Sequence, residues 1–245
     1  MGWFGRIVFS LAIAEFGVET IVCAHSAQPS LGPGYQAIPV IPWVPAIVWI
    51  AYLAGAIWIA CGAGLLVDRS ARWSAIVFAA LFTAWTLVKI LPRAAALPGD
   101  MSLRTVVLEP LAITAFALLS TGQLVPVCRG TIGVSFAVFG VDHFLDLKGI
   151  GSLLPAWIPW HVFWVGFFGA VFIACAASIG LRILERWGLA GIGLMFATWV
   201  ITLHAPRVMG IYGIPGAPRK PGEWSSLFIA VALWGGPWAA LRGKT

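Results

Sequence analysis

The sequence predicts an all-α integral membrane protein of eight transmembrane helices, arranged as two parallel-repeat four-helix bundles. Three observations carry this. Hydrophobic residues fill 60% of the 245 positions and charged residues only 10%, whereas a soluble domain is nearer a quarter charged. Apolar stretches of about 20 residues, the length that crosses a bilayer, recur along the whole chain. The third observation is a block that the chain contains twice. Trp43-Val44-Pro45, Gly55-Ala56, Cys61, Arg72-Trp73, Phe82, Trp85 and Pro92-Arg93 return at a fixed spacing of 114 positions (Trp43 to Trp157). The second copy reads Trp157-Ile158-Pro159, Gly169-Ala170, Cys175, Arg186-Trp187, Phe196, Trp199 and Pro206-Arg207.

Ahead of each block the match continues at a spacing of 123, with Phe16-Gly17-Val18-Glu19 opposite Phe139-Gly140-Val141-Asp142. The loop that follows is therefore longer in the first copy. A match at fixed offset is the signature of duplication, with residues 1–125 as the first repeat and 126–245 as the second.

The predicted helices run over 3–25, 43–67, 72–91, 106–125, 130–147, 157–181, 186–205 and 224–241. The first has signal-peptide features, with Arg6 ahead of an apolar run and small residues near Val22-Cys23-Ala24. Its twin is the fifth helix, in mid-chain, so the first is read as retained. Trp43-x-Pro45 and Trp157-x-Pro159 open the second helix of each copy. Proline is tolerated in a first turn and tryptophan belongs at the membrane interface. Residues 26–42 and 205–223 are rich in proline and glycine, cannot continue a helix and are read as caps over the bundle ends.

Four helices per copy make both repeats enter the membrane from one side, unlike the inverted repeats of many carriers. With the N-terminus inside, eight cations fall on the inner side (Arg6, Arg69, Arg72, Arg129, Arg182, Arg186, Arg242, Lys244) and seven on the outer. The inner loops are short and mostly cationic, where the positive-inside rule is strongest. The reading is a multi-pass protein of the cell (inner) membrane with both termini cytoplasmic. The partners this implies are the lipid bilayer and further subunits of a membrane complex. The net charge of +6 reports orientation, not nucleic-acid binding. Cys23, Cys61, Cys128 and Cys175 form no CxxC or metal-finger spacing.

Unusual polar residues collect at the outer ends of the helices. A charged outer cluster comprises Glu15, Glu19, Lys89, Arg93 and Glu109 in the first repeat, with Arg207 and Glu223 in the second. Its shared pattern is an acid on the first helix (Glu19, Asp142), Pro-Arg closing the third (Arg93, Arg207) and Glu opening the fourth (Glu109, Glu223). A guanidinium fork can bridge two carboxylates, so the set is either a clip across three helices or an anion or substrate clamp. Glu15 has no acidic twin and lies deep in its helix, with Lys89 or Arg93 as candidate partners. It is either half of a buried ion pair or a proton-handling carboxylate.

Histidines separate the copies. His143, His161 and His204 stand opposite Thr20, Ile47 and Ile90. Imidazole binds transition metals or haem iron, and hydrogen-bonds quinones. His143, His161 and His204, with Asp142 beside them, are therefore the candidate cofactor site, and the three histidines a candidate metal set. The alternative is that each is an interfacial polar residue. The site is expected at the outer end of the second bundle, capped by 205–223, with the matching place in the first bundle empty.

The four-helix unit has Phe-Gly-x-acid ending helix 1, Trp-x-Pro opening helix 2, Gly-Ala-x-x-x-Ala within it and Pro-Arg ending helix 3. It resembles the DoxX-like membrane family, over about residues 5–120 and again 130–240. The resemblance implies a four-helix membrane unit that in some members serves an oxidoreductase system such as a thiosulfate:quinone oxidoreductase. No Rossmann fingerprint, P-loop, CxxCH or nucleophile elbow is present. Three functions stay open: an oxidoreductase or electron-transfer subunit holding a quinone, haem or metal; a non-catalytic scaffold subunit; and a small-solute transporter or channel.

Overall fold

The computed structural model describes residues 2–23, 48–210 and 221–241, which form helices and turns with no strand among the described residues. In order these are α1 (Gly2–Cys23), α2 (Val48–Leu66) and α3 (Asp68–Trp85), which runs through a π-turn (Thr86–Ile90) into α4 (Leu91–Ala96). Then come α5 (Met101–Ser120), α6 (Val125–Leu145), the short α7 (Leu147–Gly151) and α8 (His161–Gly180). Next is α9 (Glu185–Trp199), with a π-turn (Val200–His204) into α10 (Ala205–Val208), and last α11 (Pro221–Ala240). Five stretches are long and apolar enough to cross a membrane: Asp68–Val88, Met101–Ser120, Val125–Leu145, His161–Gly180 and Glu185–Val208. In α1 three ionisable residues, Arg6, Glu15 and Glu19, interrupt the apolar run, and the apolar part of α2, Tyr52–Leu66, is shorter.

Four described helix starts stand four or five residues from expectation: α3, α5 and α6 begin early, at Asp68, Met101 and Val125, and α8 late, at His161. The second-repeat tryptophan–proline motif precedes its helix, because α8 begins at His161 after Trp160 takes a left-handed φ of 56°. Its first-repeat counterpart, Trp43–Pro45, lies outside the described residues. At another of these starts, α5 begins at Met101, since the Asp100 side chain caps it by accepting a bond from the Leu103 N–H at 3.2 Å. Glu109 therefore sits inside α5, while Glu223 does stand in the first turn of α11.

The long helices pack as a ring, α1–α2–α3–α5–α6–α8–α9–α11 and back to α1, with α5 also touching α11 across the middle. The fourth long helix of each half, α5 or α11, packs on the first long helix of the other half, α6 or α1. One continuous apolar core results, running from Phe9, Phe78 and Phe82 through Phe116 to Phe136, Phe172 and Leu189.

Two helix crossings are set by glycine. A Cβ on Gly17 would lie 2.3 Å from the Gly55 carbonyl oxygen, and one on Gly140 would lie 2.7 Å from that of Gly169. No real side chain fits there, so α1 meets α2, and α6 meets α8, backbone to backbone. In lipid, where burying apolar surface drives little association, such close approach is what holds helices together.

The π-turns follow from proline. Pro92 and Pro206 lack the N–H that would reach back four residues, and the ring crowds that carbonyl. The ladder widens instead. Leu91 N–H bonds to Thr86 C=O and Ala205 N–H to Val200 C=O, each five residues back. Widening of this kind re-aims the side chains that follow and is frequent at functional sites.

At the end of the molecule opposite the histidines, Arg6 bonds Asp68 and the Leu65 carbonyl. Arg129 holds Glu185 with two bonds, of 2.9 and 3.1 Å. Each pair ties the first long helix of a half to the start of the third.

Candidate functional site

A cavity of about 1030 Å³ opens at the histidine-bearing end of the molecule. Its wall is shared between the halves. Met101, Thr105, Val106 and Glu109 come from α5, and Phe139, Asp142 and His143 from α6. Residues Gly149 to Trp160 supply the rim, Trp164, Phe168 and Phe172 come from α8, and Trp199, His204 and Arg207 from the α9–α10 stretch. The expected cap, 205–223, is described only in part. Among the described residues the connection around Leu153–Trp160 lies over the cavity instead.

His143 is the most constrained polar group there. It is 7% exposed, and its ring lies flat against Trp199, with centroids 5.7 Å apart and planes 13° apart. Phe172 meets it edge-on at 5.3 Å. Trp199 is itself boxed by Phe168, Phe172 and Phe196. The imidazole Nδ1 lies 2.7 Å from the Phe139 carbonyl oxygen, one turn earlier. A carbonyl only accepts, so Nδ1 carries the hydrogen, and Nε2 of the neutral ring presents a lone pair. That Nε2 is buried with no hydrogen-bond partner among the described residues.

Asp142 is 6% exposed. It takes one bond from Arg104, and among the described residues its second oxygen, Oδ2, is buried without a partner, as is the Trp164 indole Nε1. Buried polar atoms are normally paired, and among the described residues these three stand unpaired in side chains that line the cavity.

The remaining candidates divide. His204 lines the cavity and is half-buried. His161 does not: its Nε2–H donates to the Pro155 carbonyl at 3.2 Å and pins the connection ahead of α8. Among the described residues no three His, Cys, Asp or Glu side chains are placed to hold a metal ion. The three-histidine metal set at His143, His161 and His204 is thus not brought together, because His161 stands outside the cavity that His143 and His204 line.

The expected acid–arginine clips are also rearranged. Asp142 pairs with Arg104 of α5, while Arg207 donates to the Leu153 carbonyl at 3.3 Å. Glu19 accepts from Ser225 of α11. The side chains of Lys89 and Arg93 lie outside the described ones. Glu15 Oε2 is buried with no hydrogen-bond partner among the described residues. Glu109 faces the cavity, and Glu223 stands half-buried at the head of α11.

In the first half the places matching His143 and His204 hold buried Thr20 and Ile90. Thr20 Oγ donates to Phe16 C=O at 2.6 Å, the same one-turn contact that His143 makes to Phe139. Arg104, Trp164, Phe168 and Trp199 escaped the sequence reading as site residues. Trp199 was visible as a repeat marker shared with Trp85, but nothing in the sequence says that a shared aromatic faces a cavity. Arg104 stands opposite Pro218 and has no twin to draw attention to it.

Comparison with protein-family models, with curated proteins and with solved structures finds no match to this chain.

Proposed function

We propose that the chain is an eight-span membrane protein of two parallel repeats, akin to the DoxX-like family, and that its cavity binds a quinone-like molecule as part of an electron-transfer or oxidoreductase system. Several details support the repeat. The two π-turns, the two glycine crossings and the paired Arg6 and Arg129 keep the spacings of 114 and 123. The termini face the cytoplasm in this reading.

One observation carries the ligand: a large aromatic cavity is lined by a buried imidazole stacked on Trp199, with His204 and Arg207 beside it. Ligand sites are typically concave, mostly apolar and furnished with a few placed polar groups. A flat ring can lie against Trp164 and Phe168 while its oxygen substituents meet half-buried polar lining such as Thr105, His204 and Arg207. Haem is the second reading, favoured by the same imidazole, since a backbone-bonded Nδ1–H is how ligating histidines are commonly held.

The test is to purify the full chain in mild detergent, extract it with organic solvent, and record its absorption spectrum. About one quinone per chain and no Soret band are expected. Thr105→Trp, which fills the cavity from α5, should lose the quinone and keep its melting temperature. A Soret band would replace the quinone with haem. Absence of both, with stable co-purification of other chains, would leave a scaffold subunit.

A further inference from the structure

The turn between α8 and α9 departs from its first-half twin in a way that the cavity does not explain. It joins His161–Gly180 to Glu185–Val208, two of the stretches long and apolar enough to cross a membrane. A 20-residue helix such as α8 rises about 30 Å, the thickness of the hydrocarbon core, so in a bilayer the turn falls at the level of the headgroups. The corresponding first-half turn, Val67-Asp68-Arg69-Ser70, is largely polar, whereas this one reads Leu181-Arg182-Ile183-Leu184. Ile183 and Leu184 are 62% and 68% exposed, and Trp187, just beyond them, is 75% exposed. Arg182 and Arg186 are exposed among them, while Glu185, the acid of this segment, is buried and held by Arg129.

The backbone of the turn is strained. Arg182 and Leu184 take left-handed φ values of 61° and 57°, a region that suits glycine or asparagine and resists bulky side chains. The Ser178 hydroxyl donates to the Ile183 carbonyl at 2.6 Å, and the Trp187 N–H to the Leu184 carbonyl at 2.8 Å. Neither Ile183 nor Leu184 is covered within the chain, so folding alone does not account for leucine where asparagine costs less.

We propose that this turn is an anchor for anionic phospholipid, with Arg182 and Arg186 meeting headgroup phosphates while Ile183, Leu184 and Trp187 lie against the upper acyl chains. Charge complementarity selects the occupant. Cations set among aliphatic and indole side chains suit the boundary between headgroups and acyl chains, and each arginine there strengthens attachment to an anionic surface. The first-half turn lacks the match. Exposed Asp68 stands in the place of Arg182, and Arg69 and Ser70 replace Ile183 and Leu184. None of this depends on what the cavity holds.

The experiment measures binding of short-chain phosphatidylglycerol and phosphatidylcholine to the delipidated full chain in mild detergent, read by the shift in melting temperature as lipid is added. Phosphatidylglycerol should bind at least about ten-fold tighter, the scale of two arginines at an anionic headgroup. Arg182→Gln with Arg186→Gln should bring that preference to within about two-fold, and Arg69→Gln with Arg72→Gln should keep it. Ile183→Ser with Leu184→Asn should weaken binding of phosphatidylglycerol about five-fold through lost apolar contact. Without lipid this variant should melt no lower than the unmodified chain, since asparagine accepts the backbone that leucine resists. A turn that served only the fold would not separate the two readouts. Equal binding of the two lipids to the unmodified chain, or equal loss from both arginine pairs, overturns the inference. No lipid preference, together with co-purification of another chain that Ile183→Ser with Leu184→Asn abolishes, assigns the turn to a protein partner instead. A preference that survives loss of Arg69 and Arg72 upholds the anchor even where a second-half variant folds poorly.

Discussion

Two arginines that occupy the same repeat position are worth very different amounts. Arg129 and Glu185 are 14% and 8% exposed and meet through two bonds, whereas Asp68, the partner of Arg6, is 81% exposed. Truncating one member of a buried pair leaves a charge without water or partner, at about 3–5 kcal/mol. An exposed pair contributes about 1 kcal/mol or less. Glu185→Ala should therefore lower the melting temperature in detergent substantially, and Asp68→Ala should barely move it. Equal effects would mean that burial does not set the strength of these clips. The sequence could have disclosed the pairing, since Arg6 and Arg129 share the spacing of 123 that matched the flanking Phe-Gly motifs. Their acids do not repeat, because Asp68 stands opposite Arg182 and Glu185 opposite Ala71, so the comparison of copies passed over them.

The helices themselves were legible, because a stretch long and apolar enough for a bilayer has few alternatives. Expected and observed boundaries agree within about five residues: Asp100 sets the early start of α5 and Trp160 delays α8, while α3 and α6 also begin early, at Asp68 and Val125. Crossings between helices were legible only as glycines. Gly17, Gly55, Gly140 and Gly169 stand out in the alignment of copies, but their contact is a property of packing. Gly133, on the same helix as Gly140, shows the difference, since a Cβ there would find its nearest neighbour at 3.5 Å. Gly140→Leu should separate α6 from α8, cost about 1–3 kcal/mol as overpacking does, and weaken ligand binding by moving His143 away from Phe172 of α8. Gly133→Ala should leave both stability and binding unchanged. Thermal melting and fluorescence quenching on the two variants check this, and a destabilised Gly133→Ala would show that any bulk on α6 is harmful.

At the scale of the whole molecule, the ring of helices puts all the polar cavity chemistry at one end and the arginine clips at the other. The clip end holds the connections near Val67, Thr121–Leu124 and Leu181–Leu184, and exposed Arg69, Arg72, Arg182 and Arg186 remain there after Arg6 and Arg129 are paired. At the cavity end Arg104 is neutralised by Asp142 and Arg207 is turned to the Leu153 carbonyl. The rule that cations mark the cytoplasmic side counts charges near the membrane in short loops, so the proposed orientation puts the clip end in the cytoplasm and the cavity, with Lys148 near it, outside. An impermeant maleimide applied to intact cells tests this in a background without native cysteines, of which Cys61, Cys128 and Cys175 are buried in any case. Cysteines introduced at exposed Gly99 and Ser152 should react from outside, and those at Val67 and Leu181 only after lysis. The pattern reversed as a whole would keep the proposed eight-span topology and turn the cavity inward. Val67 and Ser152 reacting from the same side would break the topology, because α3, α5 and α6 lie between them and an odd number of crossings must separate the two.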